Sequence, residues 1–172
     1  MELAIVKFLN RFKLGIFDSF LEFVNRTVFL FIFWTAVAFA FLLFDDAYGK
    51  KIFWGIITAA LLHFAVSEGL IKHILIKFWG KRARPYLAHP GEIKPIGKPH
   101  KDSSFPSSHM ASALAILAVI LFFHPLFWPW ALLFVIILAF FRMRSGMHYP
   151  TDVLAGAILG IIYGIIAIKI IN

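Results

Sequence analysis

The sequence predicts an all-α fold: a polytopic integral membrane helix bundle of about five transmembrane helices, with an N-terminal amphipathic helix at the interface. Three observations carry that expectation. Hydrophobic residues make up 61% of the 172-residue chain and charged ones 15%, where a soluble domain is roughly 45–50% apolar. Long apolar runs recur, and about 20 residues of helix cross a bilayer core. Short segments rich in Pro, Gly or charge separate those runs. One domain covers residues 1–172.

The elements follow in order. Residues 3–24 place apolar side chains along a helical stripe, with Lys7, Arg11, Lys13, Asp18 and Glu22 largely off it. So many charges suit a helix lying in the interface rather than spanning. No small-residue cleavage site follows, so this is not read as a signal peptide. Thr27–Phe44 is uninterrupted and apolar, the first span. Asp45–Lys51 is a polar turn, and Ile52 to about Trp79 is the second span, long enough to tilt or project into the headgroups. Residues 80–106 hold five of the eight prolines and three glycines. A loop this long is functional rather than a connector. Ser107–Phe123 is the third span, Trp130–Phe141 begins the fourth, and Pro150–Ile171 is the fifth. Trp128 and Trp130 suit the interface. Gly156, Gly160 and Gly164 recur every fourth residue, a pattern for close packing within the bundle, with a dimer face as the alternative. An oligomer is not required.

Alternation of the spans puts residues 77–106 and 142–152 on one side of the membrane. That side also holds 13 of the 17 Lys and Arg, against Lys50, Lys51 and Lys169 opposite and Lys72 mid-helix. The positive-inside rule alone would make it cytoplasmic, but a site that binds anions biases the count. The formal charge is +8, yet the basic residues form no separate soluble face, so nucleic acid is excluded as a partner. The chain has no cysteine, hence no disulfide or thiolate chemistry.

Three clusters on that side carry the chemistry: Lys77 with Arg84 and Pro85; Pro106, Ser107, Ser108 and His109; and Arg142, His148 and Asp152. Pro150 suits the first helical position, which puts Asp152 on the first turn. Its carboxylate is then expected to reach His148, fix the ring tautomer and leave the other nitrogen as base or nucleophile. The plainer role for Asp152 is a helix cap. Ser107 and Ser108 open a helix whose free N–H groups can cradle an anion. His109 beside them can protonate a leaving oxygen and later deprotonate water. Lys77, Arg84 and Arg142 suit the non-bridging oxygens of a phosphoryl group, guanidinium being planar and bidentate. Lys81, Arg82 and Arg144 read as cations snorkelling to the headgroups. No HExxH or His-x3-His occurs among the seven histidines, so neither metal nor cofactor is expected. His63 reads as a packed bundle residue with a partner. Glu68 is costly in a membrane and can pair with Lys72 four residues on. The inventory holds, attacks and protonates a phosphate beside lipid, so the expected partner is a phosphorylated membrane lipid in the bilayer.

The three clusters resemble the type 2 phosphatidic acid phosphatase superfamily over roughly residues 50–171. Its pattern is KxxxxxxRP, then PSGH, then SRxxxxxHxxxD. Lys77, Arg84 and Pro85 match the first; Pro106, Ser107 and His109 the second, with Ser108 where glycine is usual; Arg142, His148 and Asp152 the third, with Phe141 where serine is usual. The resemblance implies a metal-independent phosphatase in which His148 attacks phosphorus to form phosphohistidine. His109 protonates the leaving oxygen and then activates water. It implies a site at the outer face of a bacterial inner membrane. It also implies a substrate such as undecaprenyl pyrophosphate or lipid A 1-phosphate, with phosphatidylglycerophosphate or phosphatidic acid next. Lys81, Arg82, Lys94, Lys98 and Lys101 would suit a second phosphate. A transporter or flippase of phosphorylated lipids is the reading from another class; it needs the cationic clamp but not both histidines.

Overall fold

Thr27–Phe44 carries no charge and folds as one helix, α3, in which only Trp34 and Ala38 are buried. Its Val28, Phe31, Ile32, Leu43 and Phe44 face outward. Aqueous solvent does not tolerate so much exposed apolar surface, so this face belongs to lipid. In the computed structural model, which describes residues 1–12, 14–24 and 26–172, every regular element is helical. Four helical rods are long and apolar enough to cross a membrane: Thr27–Phe44, Gly49–Trp79, Pro125–Arg144 and Pro150–Ile171. Ser108–Phe123 is a shorter fifth. The chain is an integral membrane helix bundle.

The N-terminal stripe is not one helix. It divides into α1 (Glu2–Asn10) and α2 (Ile16–Val24), with Gly15 just before α2 at φ +59° in the left-handed region that glycine reaches without strain. Lys13, one of the charges expected off that stripe, lies outside the described residues.

The second span starts earlier than expected. α4 (Gly49–Leu62) runs without interruption into an i→i+5 wound segment, His63–Leu75, and then into the single turn α5 (Ile76–Trp79). Gly80 at φ 80° stops the rod. The wide-wound stretch presents Ser67 to Tyr163, their hydroxyls 2.8 Å apart. It also presents Glu68 and Lys72 to Ser108. Wound this way, Lys72 belongs to the site end, not to the middle of the membrane.

After the one-turn helix α6 (Pro85–Ala88), α7 (Ser108–Phe123) forms the axis of the bundle. Met110, Ala111, Ala113, Ala115, Ile116, Val119 and Ile120 are all buried along it. α9 (Pro150–Ile171) lies against α7 because its glycine stripe leaves room. A Cβ on Gly156 would sit 2.5 Å from the Ser107 carbonyl oxygen, and one on Gly160 would sit 2.4 Å from that of Ala111. The stripe therefore serves packing inside the bundle. At ~1.5 Å per residue α7 rises about 24 Å, less than the ~30 Å hydrocarbon core of a bilayer.

α8 runs Trp128–Arg144, two residues earlier and three later than expected, so Arg142 and Arg144 sit in its last turn. The loop after α5 folds onto the α8–α9 turn. Tyr86 N–H donates to the Gly146 carbonyl at 3.3 Å and Ile96 N–H to that of Ser145 at 3.3 Å. A second small core of Val6, Tyr86, Ile93, Met147 and Tyr149 joins α1, this loop and the turn. At the opposite end His124 Nε2 donates to Asp45 Oδ2 at 2.6 Å and ties the two short turns together.

Candidate active site

His148 sits in the turn between α8 and α9 with 2% of its surface exposed. Its Nδ1 lies 2.7 Å from the Ser104 carbonyl oxygen, which can only accept, so Nδ1 carries the proton. Its Nε2 lies 3.1 Å from an Arg142 terminal nitrogen and 3.4 Å from one of Arg84, which can only donate. The lone pair therefore resides on Nε2, aimed between two guanidiniums. Burial first, then the charges of Arg142, Arg84 and His109, push the imidazole pKa well below its ordinary value; the Ser104 carbonyl opposes them weakly. A buried, neutral, tautomerically fixed imidazole results.

Local structure explains each placement. Arg84 precedes Pro85, which holds it extended (φ −65°, ψ 149°) at the entrance to α6. Its guanidinium donates to the Met147 carbonyl at 3.1 Å and to both Asp102 oxygens at 2.9 and 3.0 Å. Arg142 arrives from the last turn of α8 and is 5% exposed. Among the described residues no carboxylate lies within ion-pair reach of it. A buried cation without a carboxylate suits a site that receives an anion from outside.

The start of α7 supplies the second face. Ser107 is the N-cap and wholly buried, its N–H held by the Asp152 carbonyl at 3.0 Å. Its hydroxyl has no partner among the described residues, and buried polar groups are seldom left so without a ligand. His109 follows in the first turn, half-buried and close enough for its charge to act on His148. Ser108 behaves differently from its neighbours. Its hydroxyl donates to Glu68 Oε1 and accepts from Lys72 Nζ, and Lys72 and Glu68 pair at 3.0 Å. The extra side chain at this position is thus directed into the second span.

Three expectations change. Asp152 does not hold His148: the separation is 4.0 Å, beyond hydrogen-bond reach. Its carboxylate instead accepts from the Tyr149 N–H at 2.8 Å and from Arg82 at 2.6 Å. On the first turn of α9 the backbone donor is nearer than the ring, so Asp152 caps the helix, and the Ser104 backbone fixes the tautomer. Second, Arg82 and Arg144 do not snorkel. Arg82 bridges Asp152 and Glu2, at 2.7 Å to the latter, and lies over the Tyr149 ring. Arg144 is 2% exposed, pairs with Asp18 at 2.6 Å and donates to the Phe12 carbonyl. Third, His63 is buried but its Nδ1 has no partner among the described residues.

Lys77 is exposed and outside this cluster. Lys72, which pairs with Glu68, donates to Ser108 and lies 3.7 Å from Asp102, is the lysine that meets the site. His73 is exposed too and contacts the Glu68 carbonyl. Sequence reasoning missed Ser104 and Asp102 as site residues. Ser104 acts through its backbone, which no residue type announces, and Asp102 is one charge in a loop full of them.

A cleft of about 730 Å³ leads outward from Arg142 and Met147 between the α2–α3 corner and the loop at Ile96–Lys98. Phe23, Phe29, Ile32 and Phe141 give it apolar walls, with Arg142 on its lining. Phe141, where serine was the expected residue, is therefore part of the cleft's apolar wall.

This fold is that of solved membrane phosphatases. The structure of LpxE from Aquifex aeolicus matches with a TM-score of 0.66 at 23% identity, covering 98% of this chain and 94% of that one. A PAP2-type phosphatidylglycerolphosphate phosphatase from Bacillus subtilis matches with a TM-score of 0.62 at 20% identity, covering 98% and 83%. Residues 51–172 match the PAP2 superfamily, and the chain belongs to that family of membrane lipid phosphatases. Among curated relatives it is similar to undecaprenyl-diphosphatase BcrC of Bacillus subtilis (strain 168), at 30% identity over 87% of this chain and 72% of that protein. It is also similar to a protein named bacitracin transport permease protein BcrC from Bacillus licheniformis, at 31% identity over 71% of this chain and 63% of that protein.

Proposed function

We propose that this protein removes the terminal phosphate of undecaprenyl pyrophosphate through a phosphohistidine on His148. One observation carries the reading: the His148 lone pair is fixed on Nε2 between Arg84 and Arg142. In the first step Nε2 attacks phosphorus, the bond to the leaving oxygen breaks, and His109 gives that oxygen a proton. The positive charge that develops on the ring is shared with the Ser104 carbonyl through Nδ1–H. Arg84 and Arg142 hold the non-bridging oxygens, where charge spreads in the transition state. In the second step water attacks phosphorus, loses its proton to His109, and returns the lone pair to Nε2 as inorganic phosphate leaves. Ser107 offers a further donor. Asp152 supports the site by capping α9 and by fixing Arg82. Lys77 is left as a headgroup contact at the rim, and Ser108 as a link to Glu68 and Lys72. Neither metal nor cofactor has a role in these steps.

The similarity to an undecaprenyl-diphosphatase over most of both chains supports this substrate, as does the apolar cleft that reaches Arg142. Exposed Lys94, Lys98 and Lys101 on the same loop suit a second phosphate. Lipid A 1-phosphate fits the same features, and phosphatidylglycerophosphate and phosphatidic acid are the next substrates to try. A transporter would need the clamp but not both His148 and His109. We place the seat at the outer face of the membrane.

The test is phosphate release from these four lipids in detergent, with and without EDTA, by wild type and His148→Ala. We expect release from undecaprenyl pyrophosphate to be fastest, unaffected by EDTA and abolished in His148→Ala. Equal release by the variant would remove the nucleophile; complete loss in EDTA would require a metal. For sidedness, a cysteine at Gly97 should react with an impermeant reagent from outside whole cells; labelling from the cytoplasm alone would invert the placement.

A further inference from the structure

Arg84 spends one end of its guanidinium on a residue with no part in the steps above. Both oxygens of Asp102 lie on one terminal nitrogen, at 2.9 and 3.0 Å, while the other terminal nitrogen serves the Met147 carbonyl and His148. The Asp102 side chain is 49% exposed, against 4% for its partner, so the carboxylate reaches a buried cation from the solvent side. An anion entering from that side would meet the Asp102 carboxylate before the Arg84 guanidinium. Asp152 offers the contrast: it is fully buried and built into a helix end. Asp102 also has a second cation nearby, with Lys72 Nζ 3.7 Å from Oδ2. Small rotations of one loop side chain can pass the carboxylate from Arg84 towards Lys72. Burial alone would raise its pKa, but Arg84, by charge and hydrogen bond, and then Lys72, outweigh this and hold it below the usual carboxylate range. It is an anion at any pH at which the enzyme would meet a phosphate.

We propose that Asp102 is an internal competitor for the phosphate seat, a carboxylate that every incoming anion must displace from Arg84 towards Lys72. The inference rests on Arg84 belonging to that seat. A competitor of this kind lowers the apparent affinity of all anions by one common factor, the fraction of time the seat is open. The consequence is functional. The surrounding bilayer presents a large excess of phosphodiester headgroups, each singly charged, and the reaction releases inorganic phosphate into the same seat. A weakened seat is not saturated by either. Against free phosphate the substrate recovers affinity through its lipid chain in the cleft; against bilayer phosphodiesters, each singly charged, it recovers affinity through the greater charge of its phosphate.

The experiment titrates inorganic phosphate and, separately, dimethyl phosphate into detergent-solubilised protein labelled with 15N-histidine, reading the His148 ring signals. Asp102→Asn should bind both probes about tenfold more tightly than wild type, because a hydrogen-bonded ionic competitor is gone. Asp102→Glu, which keeps the charge, should stay near wild type. Arg84→Ala should weaken both probes. If Asp102→Asn binds phosphate equally or less well while Arg84→Ala weakens it, Asp102 positions Arg84 and the competitor idea falls, with the seat intact. If Arg84→Ala leaves phosphate binding unchanged, the seat itself is misplaced and the competitor falls with it. Should Asp102→Asn not fold, Asp102→Ser takes its place; failure of both would make Asp102 a structural clamp and overturn the proposal.

Discussion

Arg82 and Arg84 are next-but-one neighbours, as are Arg142 and Arg144, and each pair splits the same way. Arg84 and Arg142 point their terminal nitrogens at His148. Arg82 and Arg144 turn to the N-terminal arm, taking Glu2 and Asp152 in one case and Asp18 with the Phe12 carbonyl in the other. The difference lies in the carboxylates. Arg82 and Arg144 meet acids that are part of the fold, so their charges are spent on holding it together. Arg142 meets no acid among the described residues, and Arg84 meets one that approaches from solvent. Buried cations left without fixed anions have charge to offer a substrate. Residues two apart in sequence are thus sorted into framework and chemistry by where the counter-charges sit.

The largest test of this division is Arg142→Ala. Its phosphatase activity should fall by about 10²–10³-fold, the usual cost of one preorganised transition-state donor. Its melting temperature in detergent should hold or rise, since a buried charge without an acid partner is removed. Arg144→Ala should do the reverse. It leaves Asp18 unpaired and the arm undocked, so stability should drop by about 2–3 kcal/mol. Its activity per folded molecule should stay within a few-fold of wild type. Matching losses of rate and stability in both variants would erase the distinction.

A smaller effect sharpens the place of Asp152 on the framework side. In Asp152→Asn the side-chain oxygen can still accept from Tyr149 N–H, and Ser104 still holds Nδ1–H of His148. The 15N pattern of His148 should therefore keep the neutral Nδ1–H tautomer. Reversal to Nε2–H would make Asp152 the orienting group after all. The same spectra give the pH test. Because the folded pKa lies well below the ordinary 6.5, His148 should stay neutral as pH falls through that value. The unfolded chain takes up its proton there and the folded one does not, so this group costs stability progressively below pH 6.5. A His148 signal that titrates at the ordinary value would mean that neither burial nor the two arginines act on it. The smallest effect belongs to Glu2→Gln. It weakens a half-exposed pair with Arg82 and should cost less than about 1 kcal/mol, seen as a small drop in melting temperature with little change in rate.

Much of the fold was readable along the chain, because the bilayer imposes a length and a polarity on every spanning helix. α9 begins at Pro150 as expected, since proline suits the first turn. The boundaries of α8 were harder, because its last turn carries Arg142 and Arg144, which look like loop residues until their buried partners are seen. The wide winding of His63–Leu75 left no mark in the apolar pattern, nor did the contact Lys72 makes with Ser108. Ser104 was illegible for a different reason: a carbonyl is common to all residues. Asp102 became meaningful only when the loop closed over Arg84.

By itself the sequence determined that the chain lives in lipid, that it folds as a bundle of apolar helices, and that its phosphate-type residues should share one side. Those follow from hydrophobic length and the parity of the spans, which are local or additive properties. Tertiary structure alone decided which arginine faces His148, which acid meets which cation, and which atom fixes the imidazole. Those are matters of a few tenths of a nanometre between distant segments. Buried charge interactions change steeply over that distance, and no count along the chain contains it.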